Sequence, residues 1–260
     1  MSEIRYTSDL KDEQWSVIEP LFGPPPKTGR PRDYSYREIM NAVFYVVKTG
    51  CQWRNLPKDL PPWSVVYTYY RNWVLTGFWV KLHGFLHQEL RFAAGRKLSP
   101  TAGIIDSQTV KSTECSEVRG FDAAKKINGC KRHLVVDVLG LVLMAYVTAA
   151  NVQDRDAAPH ALAGAFGAFS TLQLIWADSG YAGQLVKWVL EKFRRTLEIV
   201  KPAPSQKGFQ VQPKRWIVER TFGWLGRSRR LSKHYERKTD TAEALVYISM
   251  SQLMLRRLRK

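Results

Sequence analysis

The sequence has few cysteines, no long apolar run and a shortage of acidic residues, and each scarcity excludes a class of protein. Its three cysteines, Cys51, Cys115 and Cys130, form no Cys-x-x-Cys pair, which argues against a disulfide framework and a structural zinc site. No stretch approaches the roughly 18 uncharged apolar residues of a membrane span. The first 20 residues carry acids and Trp15 where a secretory signal needs unbroken apolar sequence, so we expect a cytoplasmic protein.

The charge balance is strongly basic. The chain has 40 Lys and Arg against 23 Asp and Glu, a formal net charge of +17. Fifteen of these bases lie between Lys201 and Lys260, where there are only four acids. Such an excess leaves nucleic acid, an anionic membrane surface or a polyanionic protein as partners. No lipidation motif or isolated basic amphipathic helix favours a membrane, so we expect nucleic acid.

The first 95 residues show helical periodicity. Apolar residues recur at helical spacing after Ser8, and a second helix is predicted from Ser35 to about Thr49, with Gly50 as its stop. A third helix is predicted in SVVYTYYRNWVLTG, and a fourth starts at Phe78. This part of the chain is therefore predicted to be a small all-helical domain.

The pattern changes after the basic linker GRKLSPTAG. Strand-type runs follow in GIIDSQTV, in RHLVVDVLGLVLMAYVTAAN and in LQLIWADSG, and the middle one is predicted to be a hairpin turning at Leu139-Gly140. Helical stretches are predicted at Gly183–Lys192, at about Pro213–Arg229 and at Thr241–Arg259. The sequence thus predicts a mixed α/β fold with domains at 1–95 and 96–260.

Three acids are the candidate catalytic residues. Asp106 and Asp178 each end an apolar run, and a carboxylate at the end of a buried strand is costly unless it is solvated, hydrogen-bonded or paired with a cation. Taken singly, each is also compatible with a strand-end or helix-capping acid. Glu219 is almost the only acid in a basic helical segment, and it is also compatible with a solvated partner of a base one helical turn away.

Together the three acids predict a site for divalent metal. Two strand-end aspartates and a helical glutamate at one sheet edge can bridge two cations roughly 3.5–4 Å apart. Hard carboxylate oxygens favour Mg²⁺, with Mn²⁺ as a substitute. The predicted chemistry is in-line attack on a phosphodiester.

Five segments resemble one family throughout the chain. They are CQWRNLPKDLPPWSVVYTYYRNW, GIIDSQTVKS, GCKRHLVVDVLGL with AANVQDRD, ADSGYAG, and RWIVERTFGWLGRSRRLSKHYE. In this order they resemble the DDE transposases of bacterial insertion sequences, specifically the insertion sequence five group of the four/five superfamily. The resemblance implies an RNase H-like catalytic domain with its acids on the first strand, after the fourth strand and on a late helix. Those roles carry over to Asp106, Asp178 and Glu219.

The family signature around the glutamate is kept only in part. The wider superfamily has Tyr-x2-Arg-x3-Glu-x6-Lys, of which Arg215 and Glu219 keep the central portion. Gln212 stands at the Tyr position and Gly226 at the Lys position, so the outer contacts of the signature differ here. Arg215 is predicted to contact a phosphate, with an ion pair to Glu219 as the alternative.

Further basic and aromatic residues are candidates for DNA contact. In the helical domain, a short basic segment suits a minor groove, and the third helix suits the reading helix of a helix-turn-helix. In the α/β domain, bases lie before a strand and around the glutamate. The predicted DNA contacts are Arg30, Arg32, Tyr67, Tyr70, Arg71, Lys111, Lys131, Arg132, His133, Arg215, Arg227, Arg229 and Arg230.

The resemblance implies a DNA transposase that binds terminal inverted repeats, cleaves at the 3′ ends and joins them to target DNA. Its partners would be double-stranded DNA and further copies of the chain, as a homodimer or larger synaptic assembly, with no membrane. Two alternatives stay open: an RNase H-like nuclease without strand transfer, and a DNA-binding regulator with an inactive site.

Overall fold

The computed structural model describes residues 4–23, 31–200 and 214–258, which form two compact units. The division falls between Arg96 and Lys97, one residue beyond the predicted domain boundary. The C-terminal part differs from the prediction of one domain from 96 to the end. The described residues of Arg227–Leu231 and of Ala244–Lys260 group with the first, helical unit, and those of Lys97–Gly226 and Ser232–Glu243 form the second.

The first unit contains four N-terminal helices: α1 (Asp12–Ile18), α2 (Tyr36–Thr49), α3 (Trp63–Leu75) and α4 (Phe78–Ala93). The predicted second helix is confirmed as α2. The Ser35 side chain accepts a hydrogen bond from the Glu38 backbone N–H, while Glu38 accepts one from the Ser35 N–H. Gly50 ends the helix at φ +75°, a conformation that favours glycine.

An aromatic cluster fills the space between these helices. Phe22 packs against Tyr36, Trp73 and Phe78, and the Trp73 and Trp79 rings meet edge to face at 5.2 Å. The last helix, α8 (Thr239–Leu258), contributes its C-terminal part to the same unit. There Gln252 Nε2 donates to the Ser8 carbonyl at 3.2 Å, and Tyr247 lies 5.1 Å from His83. These contacts explain why the end of the chain groups with the N-terminal helices.

The second unit is built on a six-stranded sheet. Its strands are β1 (Ala102–Lys111), β2 (Gly120–Asp122), β3 (Ile127–Asp137), β4 (Val142–Ala149), β5 (Leu174–Ala177) and β6 (Thr196–Ile199). The order is β2-β3-β1-β5-β6, and β4 also pairs with β3. Pairing is antiparallel among β1 to β4 and parallel for β1 with β5 and for β5 with β6.

The predicted hairpin is confirmed between β3 and β4. Gly140 turns the chain at φ +81°, and the Asp137 carboxylate accepts hydrogen bonds from the backbone N–H groups of Leu139 and Leu141, both at 2.9 Å. Asp137 is fully buried and caps this turn, so its role is structural.

Three helices accompany the sheet: α5 (Asp154–Ala168), α6 (Gln184–Phe193) and α7 (Trp216–Gly226). The α5 helix packs on β3 and β4, α6 packs on β6, and α7 packs on β1 and β3. The sequence did not reveal α5, because its many alanines weaken the apolar periodicity and Pro159 lies inside it, nor the four-residue β6 or the three-residue β2. Within the described parts of the chain, no helix is both long and apolar enough to cross a membrane.

Glu243, in the second unit, carries a prediction on stability. Its Oε1 accepts a hydrogen bond from the Val147 N–H at 2.9 Å, and burial raises the pKa of this carboxyl from 4.5 to about 7. The folded state therefore holds the proton more tightly than the unfolded chain, and stability falls as pH rises from the unfolded to the folded pKa. Glu243→Gln keeps an acceptor oxygen without the charge, so we expect it to gain about 1–3 kcal/mol near pH 8 and little near pH 4.

Thermal unfolding of both proteins at the two pH values measures this difference. Glu191→Gln, at an exposed position on α6, is the matched control and should show no pH-dependent gain. A stability loss at the higher pH, or an equal gain at both, would contradict the assigned role of the Glu243 charge.

Candidate active site

The parallel pairing of β1 with β5 brings two of the three predicted acids to the same level of the sheet. Ala102 pairs with Leu174 and Ile104 with Trp176. Asp106 lies two residues after Ile104, and Asp178 lies two residues after Trp176, so both are just beyond the last paired residues. Since the strands run in the same direction, the two carboxylates emerge at one edge of the parallel part of the sheet.

The two aspartates reach this edge differently. Asp178 follows the end of β5, as predicted, although β5 is the fifth strand because of the short β2. Asp106 does not end a strand: β1 continues to Lys111 along β3. The strand-end prediction was wrong for Asp106, because an apolar run marks where one face is buried and not where the hydrogen-bonded ladder stops.

Asp106 is the more buried of the two acids. Its Oδ1 accepts the Ser107 backbone N–H at 2.7 Å. Burial raises the pKa of the Asp106 carboxyl to about 6, against the lowering effect of this hydrogen bond and of the Arg215 charge. The nearby charges of Asp178 and Asp154 raise the pKa further. The site thus concentrates negative charge in a partly desolvated position, where cation binding is favoured.

Arg215 links the other two predicted acids. Its Nη2 lies 3.5 Å from Asp178 Oδ2 and 3.7 Å from Glu219 Oε1, one helical turn further on. The opposite oxygen of Asp178 accepts the Gly180 N–H at 2.8 Å, which fixes the carboxylate. The ion pair that was the alternative for Arg215 is therefore present, and it brings Asp178 and Glu219 to either side of one cationic nitrogen.

The chemistry of the acids fits a hard divalent cation. All three offer carboxylate oxygens, and Glu219, whose side chain is 56% exposed, can change rotamer without disturbing the core. Within residues 4–23, 31–200 and 214–258, no three Asp, Glu, His or Cys side chains are grouped closely enough to hold a metal together. The guanidinium of Arg215 stands between two of the candidate ligands and would compete with a cation for them.

Asp154 lies beside the candidate site, although it was not among the predicted site residues. It begins α5, and its Oδ1 accepts the Ser107 hydroxyl at 2.8 Å and lies 3.1 Å from Lys131 Nζ. Lys131 also donates to the Val152 carbonyl at 2.8 Å. This chain of contacts ties α5 to β1 immediately beside Asp106. Its signal in the sequence was AANVQDRD, one of the segments that carry the resemblance.

Tyr181 lies against the same acids. Its side chain is 1% exposed, and burial, followed by the charges of Asp106, Asp154 and Asp178, raises the pKa of the phenol well above its ordinary value. The hydroxyl therefore keeps its proton, as a neutral group beside a cluster of carboxylates. In the sequence, Tyr181 lies in the segment ADSGYAG, from which only Asp178 was predicted as a site residue.

Three predicted DNA contacts in the second unit are wrong. Lys131, Arg132 and His133 are 8%, 3% and 0% exposed. They were predicted to lie before a strand, but they lie within β3, which pairs with β1 on one side and with β4 on the other. Arg132 donates to the Lys233 carbonyl at 3.0 Å, and His133 Nε2 lies 3.0 Å from Thr148 Oγ1. Lys111, at the end of β1, is exposed and stays a predicted contact.

In the first unit, Tyr70 is also a wrong prediction. Its ring lies on the buried face of α3, where it is fully covered and packs on Trp53 at a centroid distance of 4.7 Å. Tyr67, on the same helix, is 39% exposed. Arg32 stacks on Tyr36 at 3.9 Å, and Arg30 lies outside the described residues. Four further predicted contacts of this unit are exposed or partly exposed: Arg71, Arg227, Arg229 and Arg230.

On α7, a guanidinium stacked between two indole rings of the same helix reaches the β3–β4 turn. The Arg220 guanidinium carbon lies 4.5 Å from the ring centroids of both Trp216 and Trp224, and its Nη2 donates to the Leu139 carbonyl at 3.0 Å. The helix is thereby clamped to the β3–β4 turn, where Gly140 leaves no room for a side chain against Thr221 and Trp224. Both tryptophans lie on α7 itself and hold the Arg220 side chain in position to donate to the turn, while Thr221 Oγ1 donates to the Gly140 carbonyl at 2.8 Å; these two hydrogen bonds fix the helix that carries Glu219.

Arg220→Lys tests the clamp. Lysine keeps the charge but loses the flat face that stacks on two rings, so we expect a loss of about 1–2 kcal/mol in stability. Thermal unfolding measures it, and Arg155→Lys, at an exposed position on α5, serves as the control. Equal melting temperatures for the two variants would contradict a clamping role.

Comparisons with known proteins relate the chain to transposases. Residues 10–83 match the family model described as "Putative transposase of IS4/5 family", and residues 97–254 match "Transposase DDE domain". An uncharacterized 16.2 kDa protein of the insertion element IS402 from Burkholderia cepacia is 33% identical over 118 residues, which cover 43% of this chain and 78% of that protein. A protein described as a putative transposase of IS402 is 29% identical over 145 residues, 51% of this chain and 65% of that one.

Among solved structures, the crystal structure of the Mos1 strand transfer complex aligns over 91% of this chain and 80% of that one. It does so at 13% identity and a TM-score of 0.32, too weak a likeness to carry an argument.

Proposed function

The chain belongs to the DDE transposase domain family, and from this membership we propose that it binds the terminal inverted repeats of an insertion sequence, cleaves at their 3′ ends and joins them to target DNA. The observation that supports this reaction most directly is the level at which β1 and β5 present Asp106 and Asp178, with Glu219 joined to Asp178 through Arg215. The resemblance implies acids on the first strand, after a later strand and on a late helix; here Asp106 is on β1, Asp178 follows β5 and Glu219 is on α7.

DDE transposases depend on divalent metal, and we assign Mg²⁺, with Mn²⁺ as a substitute, to Asp106, Asp178 and Glu219. When bound, such ions activate the attacking water or 3′-hydroxyl and stabilise the leaving 3′-oxygen. The protein's own part is to hold the carboxylates. The Ser107 N–H orients Asp106, the Gly180 N–H orients Asp178, and the Arg220 clamp orients the helix of Glu219. We expect Arg215, whose Nη2 lies 3.5 Å from Asp178 Oδ2, to pair with a substrate phosphate at the same edge.

The basic residues that stay predicted contacts supply the electrostatic attraction to DNA. They are Arg30, Arg32, Arg71, Lys111, Arg215, Arg227, Arg229 and Arg230, and the aromatic Tyr67 stays a predicted contact beside them. We further propose that two or more copies of the chain assemble on paired transposon ends, because transposition has to hold both ends together. The protein would then act at the bacterial nucleoid.

Substitution of the first aspartate tests the catalytic assignment. Asp106→Asn removes a charged ligand but no DNA contact, so we expect Mg²⁺-dependent cleavage of labelled transposon ends to fall by about 10³-fold or more, with end binding close to wild type. Glu191→Gln is the control and should cleave normally. Unchanged cleavage by Asp106→Asn would refute the metal assignment, and cleavage by the wild type without joined products would favour a nuclease.

Salt dependence tests the electrostatic part of DNA binding. Neutralising several phosphates releases their counterions, so the affinity for duplex DNA should fall by about 10³-fold or more between 50 and 200 mM salt. Arg229→Gln should reduce the slope of log K against log salt by about one if its exposed guanidinium meets a phosphate. A flat plot for the wild type would contradict phosphate-dominated binding.

A further inference from the structure

A cavity in the first, helical unit is separate from the acids of the sheet. It has a volume of about 340 Å³ and opens beside the turn at Trp53–Asn55 and the first turns of α3. That volume is at the lower end of the range for small-molecule sites. The described residues that line it are Gln52, Trp53, Arg54, Trp63, Tyr67 and Arg230.

Aromatic rings form one part of the lining. Trp63 and Tyr67 stand one helical turn apart on α3 and are 38% and 39% exposed, whereas Tyr70 on the same helix is fully buried. Trp53 packs against Tyr67 at 5.4 Å and against the buried Tyr70 at 4.7 Å. The Tyr67 ring is therefore supported from behind by Trp53, which itself packs on the buried Tyr70.

Two guanidinium groups form the other part. The Arg54 guanidinium carbon lies 5.4 Å from the centre of the Trp63 ring. Arg230 is anchored by a hydrogen bond from Nη1 to the Cys51 carbonyl at 3.4 Å. No Asp or Glu is among the described residues that line the cavity, so its net charge is positive. Gln52 adds an amide that can both donate and accept hydrogen bonds.

We propose that this cavity binds one unstacked nucleobase of DNA together with its neighbouring phosphate. The base would stack on Trp63 and Tyr67, and the phosphate would pair with Arg54 and Arg230. Aromatic faces interleaved with cations are what single-stranded nucleic acid requires of a protein surface. A proline-rich peptide would use the rings but not the two charges, and an acidic peptide the charges but not the rings. The proposal rests on the proposed function only in taking DNA as the partner.

The pocket is tested with the full chain and a labelled short oligothymidylate, whose bases are unstacked. Fluorescence anisotropy gives the affinity. Trp63→Ala and Tyr67→Ala should each weaken binding at least about fivefold, because each removes a stacking face. Phe92→Ala is the matched control: this ring is 72% exposed on α4 and outside the cavity, so its loss should change the affinity by less than about twofold.

The charged half of the pocket has a separate signature. Arg54→Gln should weaken oligothymidylate binding and lower the slope of log K against log salt by about 0.7, whereas Trp63→Ala should leave the slope unchanged. Trp63→Phe retains an aromatic face and should restore most of the affinity, which separates stacking from a loss of folding. Thermal unfolding of each variant accompanies the binding curves.

Affinities of Trp63→Ala and Tyr67→Ala that match that of Phe92→Ala would overturn the inference, as would displacement of oligothymidylate by a proline-rich peptide but not by unlabelled oligothymidylate. Duplex transposon ends serve as the second probe. If the chain binds these ends but oligothymidylate binding ignores the pocket variants, only this inference fails. If it binds neither DNA, the proposed function fails with it.

Discussion

The parallel ladder between β1 and β5 is the interaction on which the candidate active site depends. It fixes Ile104 opposite Trp176, and the direction of both strands then carries Asp106 and Asp178 out at the same edge. A slip of one residue would turn one aspartate to the other face of the sheet. The buried apolar side chains on either side, such as Ile105 and Ile175, make that slip costly, so the core of the second unit sets the spacing of the two acids.

The third acid depends on a different kind of constraint. Glu219 lies on α7 and Arg215 directly precedes this helix, and hydrogen bonds from Arg220 and Thr221 to the Leu139 and Gly140 carbonyls tie the helix to the β3–β4 turn. Arg215 in turn contacts both Asp178 and Glu219. On the far side, Ser107 and Lys131 attach the start of α5 through Asp154. The acids therefore lie where three separately anchored elements meet, which keeps like charges together at a partly buried site.

Much of the secondary structure could be read from residue patterns, because local chemistry specifies it. Ser35, Glu38 and Gly50 are enough to delimit α2, and Gly140 is enough to place the β3–β4 turn. The wrong predictions concern exposure, which depends on which distant segments pack against a residue. Lys131, Arg132 and His133 have the composition of an exposed edge, yet strands on both sides cover them. Tyr70 lies in a helix whose polar residues suit DNA reading, yet its ring is buried against Trp53.

The sequence by itself determined the family and the strong positive charge and singled out three candidate acids, since these reside in residue types and their order along the chain. Only the tertiary structure decided which of those residues meet. Asp154 and Tyr181 join Asp106 because α5 and the segment after β5 return to β1, and Trp63, Tyr67 and Arg230 form one pocket because residues distant in sequence pack together within the helical unit. Burial and contact arise from packing between distant segments, and no local pattern encodes them.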